Sequence, residues 1–331
     1  MTQRWRKLGV IFPQRDEFVW NQRPSAPCVF RTEDRYLMYL HGLQFFSEQR
    51  KLTRIGLAEA PLDDPLDWRM VSEEPLIDLG GEGATDSHMA AYPWVVRITD
   101  THWHLYYAAW DGSFLPHAPH QKRYQTCMAE SDDAGVTWRR DGRPLLALGR
   151  GGAPDENGTG SCAVIPVGDE YWMYYTALSV PTGDWGRIST ALAVSRDGGH
   201  SFVPHAAGAL LNLPPRMGHL ASTCSKPFVE RSGDLFHMWF SCAVDGEHYR
   251  IHYAQSADGI HFKWLPHPVV DVSASGWDSE MTCYPSVIHH EGPDGRRTLM
   301  FYAGNDYAGI GAAELVTDGD GARHWIDDRG R

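Results

Sequence analysis

Two glutamates stand in short polar segments that each lead into an apolar run. Glu280 lies in Gly-Trp-Asp-Ser-Glu-Met-Thr, ahead of the run at 285–288, and Glu156 lies in Pro-Asp-Glu-Asn-Gly, ahead of the run at 162–165. Carboxyl groups that face each other across a pocket can serve as general acid and general base. We therefore predict Glu280 as a general acid, with Glu156 or Asp86 as the base.

Five polar residues occupy equivalent places ahead of five similar apolar runs. The runs begin with proline in four copies and with Cys162 in the other. The residues five positions earlier are Gln22, His88, Asn157, Ser222 and Glu280. If the runs are strands that converge on one axis, these side chains surround a central pit. The alternative is that they are ordinary loop residues, because polar residues commonly precede strands.

Other residues near these positions suit a ligand that has both polar groups and apolar faces. Trp110 and Trp277 offer flat rings for stacking, and Arg23 offers a guanidinium that can bind an anion through two hydrogen bonds. For any single aromatic residue, a place in the core is the alternative. The predicted ligand-binding set is Gln22, Arg23, Trp110, Asp111, Asn157, Ser222, Trp277, Asp278, Tyr284 and Asn305.

Histidines suggest a metal ion, although no metal-binding spacing is visible. The chain has 17 histidines, and we predict His88 as a proton shuttle or, with His219, as a ligand of one divalent cation in the central channel. Manganese, magnesium and calcium are the candidate ions. The chain has no glycine-rich nucleotide fingerprint, so we expect neither a flavin nor a nicotinamide cofactor.

An internal repeat would position all of these residues. Each of five copies, spaced by about 60 to 70 residues, has an apolar strand, a turn, an aromatic strand such as 171–175, and a third strand that ends in an Asp-Gly turn such as 256–262. Four-stranded sheets repeated around an axis form a propeller. We predict an all-β fold, a five-bladed β-propeller with four-stranded antiparallel blades.

The N-terminal segment at 5–12 has the spacing of a fourth strand, which the last copy lacks. We predict that this strand completes the fifth blade and closes the ring, which would remove an open sheet edge. No linker divides the sequence, so we expect a single propeller domain over residues 1–331.

Composition excludes several classes of partner. The net charge is −12 and no run of lysine or arginine is present, which argues against nucleic-acid binding. No stretch approaches the ~20 apolar residues of a membrane span, and no signal peptide is visible. The six cysteines form no CxxC pair. We expect a cytoplasmic protein with reduced thiols and neither a membrane nor a nucleic acid as partner.

The repeat resembles a known superfamily. The repeated Ser-x-Asp-Gly-x-x-aromatic turns, the Met- and Tyr-rich second strands and the segment from 284 to 307 are similar to those of five-bladed propeller glycosidases, which include families 43, 32 and 130. The resemblance implies chemistry at the anomeric C–O bond of a sugar. One departure is clear: family 43 usually has an aspartate base in the first blade, where residues 21–26 contain no carboxylate.

Three functions are compatible with this sequence. The first is a glycosidase-like enzyme that acts on a small glycoside or nucleotide sugar, with two carboxyls flanking the bond. The second is a metal-dependent nucleotide-sugar isomerase, such as a flavin-free pyranose–furanose mutase, with Arg23 on the pyrophosphate. The third is a sugar-binding propeller without catalysis, because a fold does not determine a function.

Overall fold

The structure is a computed structural model that describes residues 3–14, 20–46, 51–115, 118–181, 186–211, 223–243, 248–265, 267–293, 295–307 and 309–316. These residues form strands and one short 3-10 turn at Asn305–Tyr307, and no α-helix occurs among them, which confirms the predicted all-β class. The strands are β1 (Trp5–Pro13), β2 (Arg23–Arg31), β3 (Arg35–Phe45), β4 (Lys51–Pro61), β5 (Arg69–Met70), β6 (Met89–Arg97), β7 (Trp103–Trp110), β8 (Phe114–Leu115), β9 (Ala118–Lys122), β10 (Gln125–Ser131), β11 (Arg139–Arg140), β12 (Gly158–Val167), β13 (Glu170–Pro181), β14 (Gly186–Ser195), β15 (Val203–Leu211), β16 (Thr223–Ser232), β17 (Leu235–Ala243), β18 (Arg250–Ser256), β19 (Lys263–Trp264), β20 (Cys283–Gly292), β21 (Gly295–Ala303) and β22 (Gly309–Leu315).

Strand pairing groups the chain into four-stranded antiparallel sheets, as predicted. In chain order they are β2-β3-β4-β5, β6-β7-β10-β11, β12-β13-β14-β15, β16-β17-β18-β19 and β20-β21-β22-β1, here called the first to fifth sheets. One parallel pair, Thr53 with Met89, joins the first two. Strand β1 pairs antiparallel with β22, so the N-terminal strand lies at the outer edge of the fifth sheet. A ring of five blades closed in this way stays our prediction.

The leading strand of each sheet, called here the inner strand, contacts the inner strands of neighbouring sheets, and β20 contacts β2. Each inner strand carries a register shift near its start, which is typical of a β-bulge. In four of the sheets the residue just before a proline has a positive φ in this bulge: Ala26, Tyr92, Lys226 and Tyr284. Because positive φ is unfavourable for these residue types, the surrounding packing must hold them in place.

The second strand of each sheet is the most apolar, because it is covered by neighbours on both edges and both faces. All eight residues of β7 are buried, for example. Its Tyr106 hydroxyl donates to the Gly199 carbonyl of the third sheet, and the Tyr174 hydroxyl of β13 donates to the Gly259 carbonyl of the fourth. Tyrosines of the second strands thus join each of these sheets to the next.

Those glycines belong to the Asp-Gly turns that the sequence predicted. In the turn after β18, the Ser256 hydroxyl donates to Asp258, and Asp258 in turn accepts backbone N–H groups of Ile260 and His261. The turns after β10 and β14 repeat this network around Asp133 and Asp197. Each turn therefore satisfies its own polar groups and presents a glycine to the preceding sheet.

Candidate active site

Five tyrosines from three sheets converge where the inner strands begin. The group, here called the tyrosine cluster, comprises Tyr92, Tyr124, Tyr249, Tyr284 and Tyr307. The rings of Tyr284 and Tyr307 stack with centroids 5.7 Å apart, and their hydroxyls are 3.1 Å apart. Tyr92 meets Tyr284 edge to face at 5.3 Å, and Tyr249 lies 6.0 Å from the Tyr284 ring.

The side chains of the tyrosine cluster are largely enclosed by protein. Tyr284 is buried, whereas the other four side chains keep part of their surface accessible to solvent. Burial nevertheless raises the pKa of every phenol in the cluster, and neighbouring tyrosines raise several of them further. Side chains that are surrounded by protein and still reach solvent are typical of a pocket wall.

Lys226 is buried among the inner strands close to the tyrosine cluster. The residue is 1% exposed, and its Nζ has no hydrogen-bond partner among the described residues. Burial lowers the pKa of its ammonium, and the thiols of Cys28, Cys162 and Cys283 oppose that shift. Three other inner strands thus present thiols to Lys226, and no ion pair joins it to any described carboxylate.

His41 is a second buried base of this region. Its ring lies 4.8 Å from that of Tyr92, and its Nδ1 accepts the Tyr92 backbone N–H at 3.3 Å. Burial lowers the pKa of His41 to about 3, with the nearby Lys226 charge as a smaller cause. His41 is therefore neutral at pH 7, with Nδ1 as an acceptor.

Glu280 lies beside the tyrosine cluster with an exposed side chain. Its backbone N–H donates to Asn305 Oδ1 at 2.7 Å, and its carbonyl accepts from the Arg250 guanidinium at 2.8 Å. Two residues on, the Thr282 N–H donates to the carbonyl of Tyr249. The backbone of Glu280 is thus fixed to Asn305 at its N–H and, through Arg250 and Thr282, to the segment that carries Tyr249.

Glu156 lies three residues before Thr159, which contacts the segment of Tyr124. It is half-buried, and its carboxylate accepts the Gly152 N–H at 2.9 Å. The Thr159 N–H donates to the Tyr124 carbonyl at 3.0 Å, which holds this segment against the cluster. Glu156 and Glu280 therefore both lie on segments that lead into inner strands, β12 and β20, and that are hydrogen-bonded to segments carrying tyrosines of the cluster.

Asp86 and Asp278 are held inside their own sheets. Asp86 is buried and accepts hydrogen bonds from Tyr107 and Arg140, both at 2.9 Å. Asp278 is buried, accepts from Tyr302 at 2.9 Å and pairs with Lys7 at 2.6 Å. A third copy of this arrangement joins Asp155 to Tyr175. A repeated acid–tyrosine contact favours a structural role for Asp86 and Asp278 over the predicted roles as base and ligand-binding residue.

The predicted stacking residues also pack within their sheets. Trp110 is 7% exposed, and its indole N–H donates to the Ser113 carbonyl. Trp277 lies 5.1 Å from the Tyr302 ring, and its ring occupies the space that side chains at Gly304 and Gly311 would fill. These contacts favour core packing for both tryptophans.

Several other predicted residues support loops. Asn305 binds the N–H groups of Glu280 and Met281, and Asp111 accepts the Ser113 N–H. Gln22 accepts the Phe45 N–H. Asn305 therefore positions the backbone of Glu280. Asp111 and Gln22 each bind a backbone N–H group nearby.

Arg23, Asn157 and His88 are the remaining predicted residues in the described part of the chain. Arg23 pairs with Asp306 and packs on the Phe45 ring at 4.4 Å. Asn157 is buried, and its amide nitrogen has no partner among the described residues. His88 is exposed beside Trp110. Ser222 and His219 lie outside the described residues.

The predicted cation site at His88 stays a prediction. Among the described residues, one group of three side chains has potential metal-ligand atoms within 4.8 Å of one another: His102, His104 and Glu130. This group lies at the other end of the second sheet from His88. His88 itself has Ser87 as its hydrogen-bonding neighbour, at 3.1 Å from Nδ1.

Sequence reasoning missed most of the tyrosine cluster and Lys226. Tyr92, Lys226 and Tyr284 each stand directly before the proline that was used to align the repeat, whereas the prediction considered residues four positions further upstream. The large side chains that recur directly before the aligned proline were the sequence signal that could have identified these residues.

Comparison with known proteins adds information on the fold. No protein-family model matches the chain. An uncharacterized protein of Mycobacterium tuberculosis, Rv1502, is 28% identical over 325 residues, which cover 94% of this chain and 99% of the relative. Its description assigns no activity.

Solved structures match over nearly the whole chain. A glycoside hydrolase matches with 16% identity, 97% and 95% coverage of the two chains and a TM-score of 0.77. A glycosyl hydrolase from Bacteroides ovatus matches with 14% identity, 95% and 94% coverage and a TM-score of 0.70. A structure described for the GH130 family of mannoside phosphorylases matches with 14% identity, 95% and 94% coverage and a TM-score of 0.70.

A thermostable family-43 glycoside hydrolase matches with 15% identity, 90% and 91% coverage of the two chains and a TM-score of 0.62. A family 117 glycoside hydrolase from Zobellia galactanivorans matches with 14% identity, 98% and 96% coverage and a TM-score of 0.67. The chain thus has the β-propeller fold of these glycoside hydrolases, which confirms the predicted resemblance.

The described part of the chain contains no helix that could span a membrane.

Proposed function

We propose that this protein is a carbohydrate-active enzyme of glycosidase type that binds a small glycoside or a nucleotide sugar at the tyrosine cluster. The observation that carries the proposal is the convergence of five tyrosines from three sheets, with the segments of Glu156 and Glu280 bonded through their backbone to the segments of Tyr124 and Tyr249. The fold shared with glycoside hydrolases supports the same class of chemistry.

The tyrosine cluster suits a sugar because tyrosine combines a flat apolar ring with a hydroxyl. The C–H face of a pyranose or furanose packs on such rings, while the phenol groups exchange hydrogen bonds with sugar hydroxyls. These phenols are protonated at neutral pH and can therefore donate hydrogen bonds, and burial raises their pKa further.

In the proposed mechanism, Glu280 acts as the general acid that protonates the leaving oxygen. Glu156 takes the second role, as base for a water molecule or as nucleophile at the anomeric carbon. A separation of ~5 Å between the carboxyls in the complex predicts retention, and ~6.5–9.5 Å predicts inversion. Asp86 is less suited as the base, because Tyr107 and Arg140 already occupy its carboxylate.

The proposal also places the reaction in the cytoplasm. All six cysteines are buried free thiols, which is compatible with a reducing compartment. A small intracellular substrate suits that setting better than a polysaccharide.

The test is a substrate screen with carboxylate variants. The purified chain is assayed against aryl glycosides and nucleotide sugars, and Glu280→Gln and Glu156→Gln are assayed on any substrate that turns over. Loss of a general acid or base lowers kcat by roughly 10²–10⁴. Glu33→Gln, an exposed residue in the β2–β3 turn, is the matched control and should keep full activity.

Products separate this proposal from its alternatives. Free reducing sugar supports glycoside hydrolysis. Conversion of a nucleotide sugar to an isomer, abolished by a chelator, would favour the metal-dependent mutase instead. Sugar binding without turnover, unchanged in both glutamine variants, would leave a binding protein and contradict the enzyme assignment.

A further inference from the structure

Two histidines and a glutamate meet at the end of the second sheet that lies away from the tyrosine cluster. His102 and His104 lie at the start of β7, next to the β6–β7 turn, and Glu130 lies near the end of β10. One ligand atom from each lies within 4.8 Å of the others, and the two Nε2 atoms are only 3.1 Å apart.

Hydrogen bonds to the other ring nitrogens determine where the protons are. His102 Nδ1 lies 2.7 Å from Asp132 Oδ1, and a carboxylate can only accept, so Nδ1 carries the proton. The Tyr106 hydroxyl donates to the Gly199 carbonyl, so its oxygen accepts from His104 Nδ1 at 3.1 Å.

With its proton on Nδ1, the His104 ring has a lone-pair acceptor at Nε2, 3.1 Å from His102 Nε2. A metal ion at this place would be bound by the two Nε2 atoms. Metal-bound histidines in proteins commonly donate their other N–H to a carboxylate or a similar acceptor, which is the arrangement at both rings.

A third histidine comes from the neighbouring sheet. His200, in the Asp-Gly turn after β14, has Nδ1 3.2 Å from Glu130 Oε1, and its ring lies 5.1 Å from that of His104. In a tetrahedral zinc site with bonds of ~2.0–2.1 Å, neighbouring ligand atoms are about 3.3 Å apart. The 3.1 Å separation of the two Nε2 atoms is close to one edge of such a tetrahedron, whereas His200 lies outside the group of three whose ligand atoms are within 4.8 Å of one another.

One cation already touches the cluster. Arg139 lies 2.7 Å from Glu130 Oε2 and 3.5 Å from Asp132. Its side chain is 69% exposed, so it can move into solvent, and it leaves Glu130 Oε1 directed at His200. Two carboxylates against one guanidinium give the neighbourhood a net negative charge.

We infer that His102, His104 and Glu130 bind a zinc ion at this end of the second sheet, where the His200 turn of the third sheet contacts Glu130. Neutral imidazole and carboxylate ligands in a tetrahedral arrangement suit Zn²⁺. Asp132 and Tyr106 are positioning residues that hold the two rings in the required tautomer.

Zinc titration of the full chain tests this inference. After chelator treatment and dialysis, ZnCl₂ is added in competition with a chromogenic chelator, and thermal unfolding is followed with and without zinc. One equivalent should bind and raise Tm, because the ion binds the folded state. X-ray absorption should give nitrogen and oxygen ligands at about 2.0–2.1 Å.

Three variants make the result specific. His102→Gln should weaken binding by at least about 100-fold, and Asp132→Asn by about 10–100-fold, as is typical for an outer-shell partner. His261→Gln is the matched control, because His261 pairs with Asp258 in the equivalent turn of the next sheet and faces no second histidine within the described contacts. Unchanged Tm of metal-free His102→Gln checks that the variant folds.

Three outcomes would overturn the inference. Affinity for zinc weaker than about 0.1 mM would leave the cluster a hydrogen-bond network. Equal affinity in the wild type and in a folded His102→Gln variant would exclude these ligands. Binding lost in His88→Gln and kept in His102→Gln would place the ion in the central channel instead.

Discussion

The Tyr175 hydroxyl donates a hydrogen bond of 2.8 Å to the Asp155 carboxylate, and both groups are buried inside the third sheet. The same contact recurs in the second and fifth sheets as Tyr107–Asp86 and Tyr302–Asp278. In each case the aspartate belongs to the segment that leads into an inner strand and the tyrosine to the second strand. The contact therefore fixes the entry segment of a sheet to its core.

Removing this hydrogen bond should destabilise the fold. Tyr175→Phe leaves the buried Asp155 carboxylate without its tyrosine donor, and we expect a loss of about 1–3 kcal/mol in the free energy of unfolding. Urea unfolding measures it. Tyr39→Phe is the control, because the Tyr39 hydroxyl is buried without a hydrogen-bond partner among the described residues. Equal stability of the two variants would remove the structural role of the pair.

The glycines of the Asp-Gly turns should tolerate no side chain. Gly259 has φ of 73°, and a Cβ there would lie 2.7 Å from the Tyr174 hydroxyl and 2.8 Å from the Trp172 ring. Gly259→Ala therefore adds overpacking of about 1–3 kcal/mol to the backbone strain. Gly233→Ala, at φ of 61° with no atom nearby, measures the strain alone. The comparison is made by thermal and urea unfolding, and an equal loss in both variants would contradict the inter-sheet contact.

Lys226 should reduce stability at neutral pH. Lys226→Met keeps the length of the side chain and removes a buried, unpaired amine, so we expect a gain of about 1–3 kcal/mol at pH 7. Burial lowers the folded-state pKa, so the unfolded state binds more protons and wild-type stability rises toward pH 10. The gain should therefore shrink at pH 10, as measured by urea unfolding in reductant. A variant that is less stable at both pH values would indicate a stabilising partner for the amine.

His41 should make the fold sensitive to mild acid. Its folded-state pKa is about 3, below the ~6.5 of an unfolded histidine, so its contribution is complete above pH 6.5 and is lost as the pH falls. The slope from one such group reaches about 1.4 kcal/mol per pH unit. His41→Gln should flatten the dependence of the unfolding free energy between pH 6.5 and 4.5, while exposed His267→Gln should not. Parallel curves for wild type and His41→Gln would contradict the prediction.

The sequence was informative wherever structure is set locally. The Asp-Gly turns, such as Ser256–Phe262, carry their own hydrogen-bond partners within seven residues, so their conformation follows from the residue types. The N-terminal strand was placed correctly beside β22 because the last repeat lacked a partner of that pattern. The all-β class and the four-stranded sheets followed from the same repetition.

The candidate site at the start of the inner strands was harder to predict, because the bulge in each inner strand changes which residues face inward. One extra residue reverses the alternation of a strand, so counting back from the aligned proline did not identify Tyr92, although Tyr284 was among the predicted ligand-binding residues. The contacts of the aspartates were hard to predict for another reason. Nothing in the local sequence distinguishes an acid that faces a pocket from Asp86, whose partner Tyr107 lies 21 residues away.

The pairing of β1 with β22 sets the order in which this protein can be completed. During synthesis, residues 5–13 leave the ribosome first, but their partners at 309–315 come about 300 residues later. At ~5–20 residues per second, the first strand waits roughly 15–60 s with an unpaired edge. A chain stopped before residue 309 would keep that edge exposed, where a second nascent chain could pair with it.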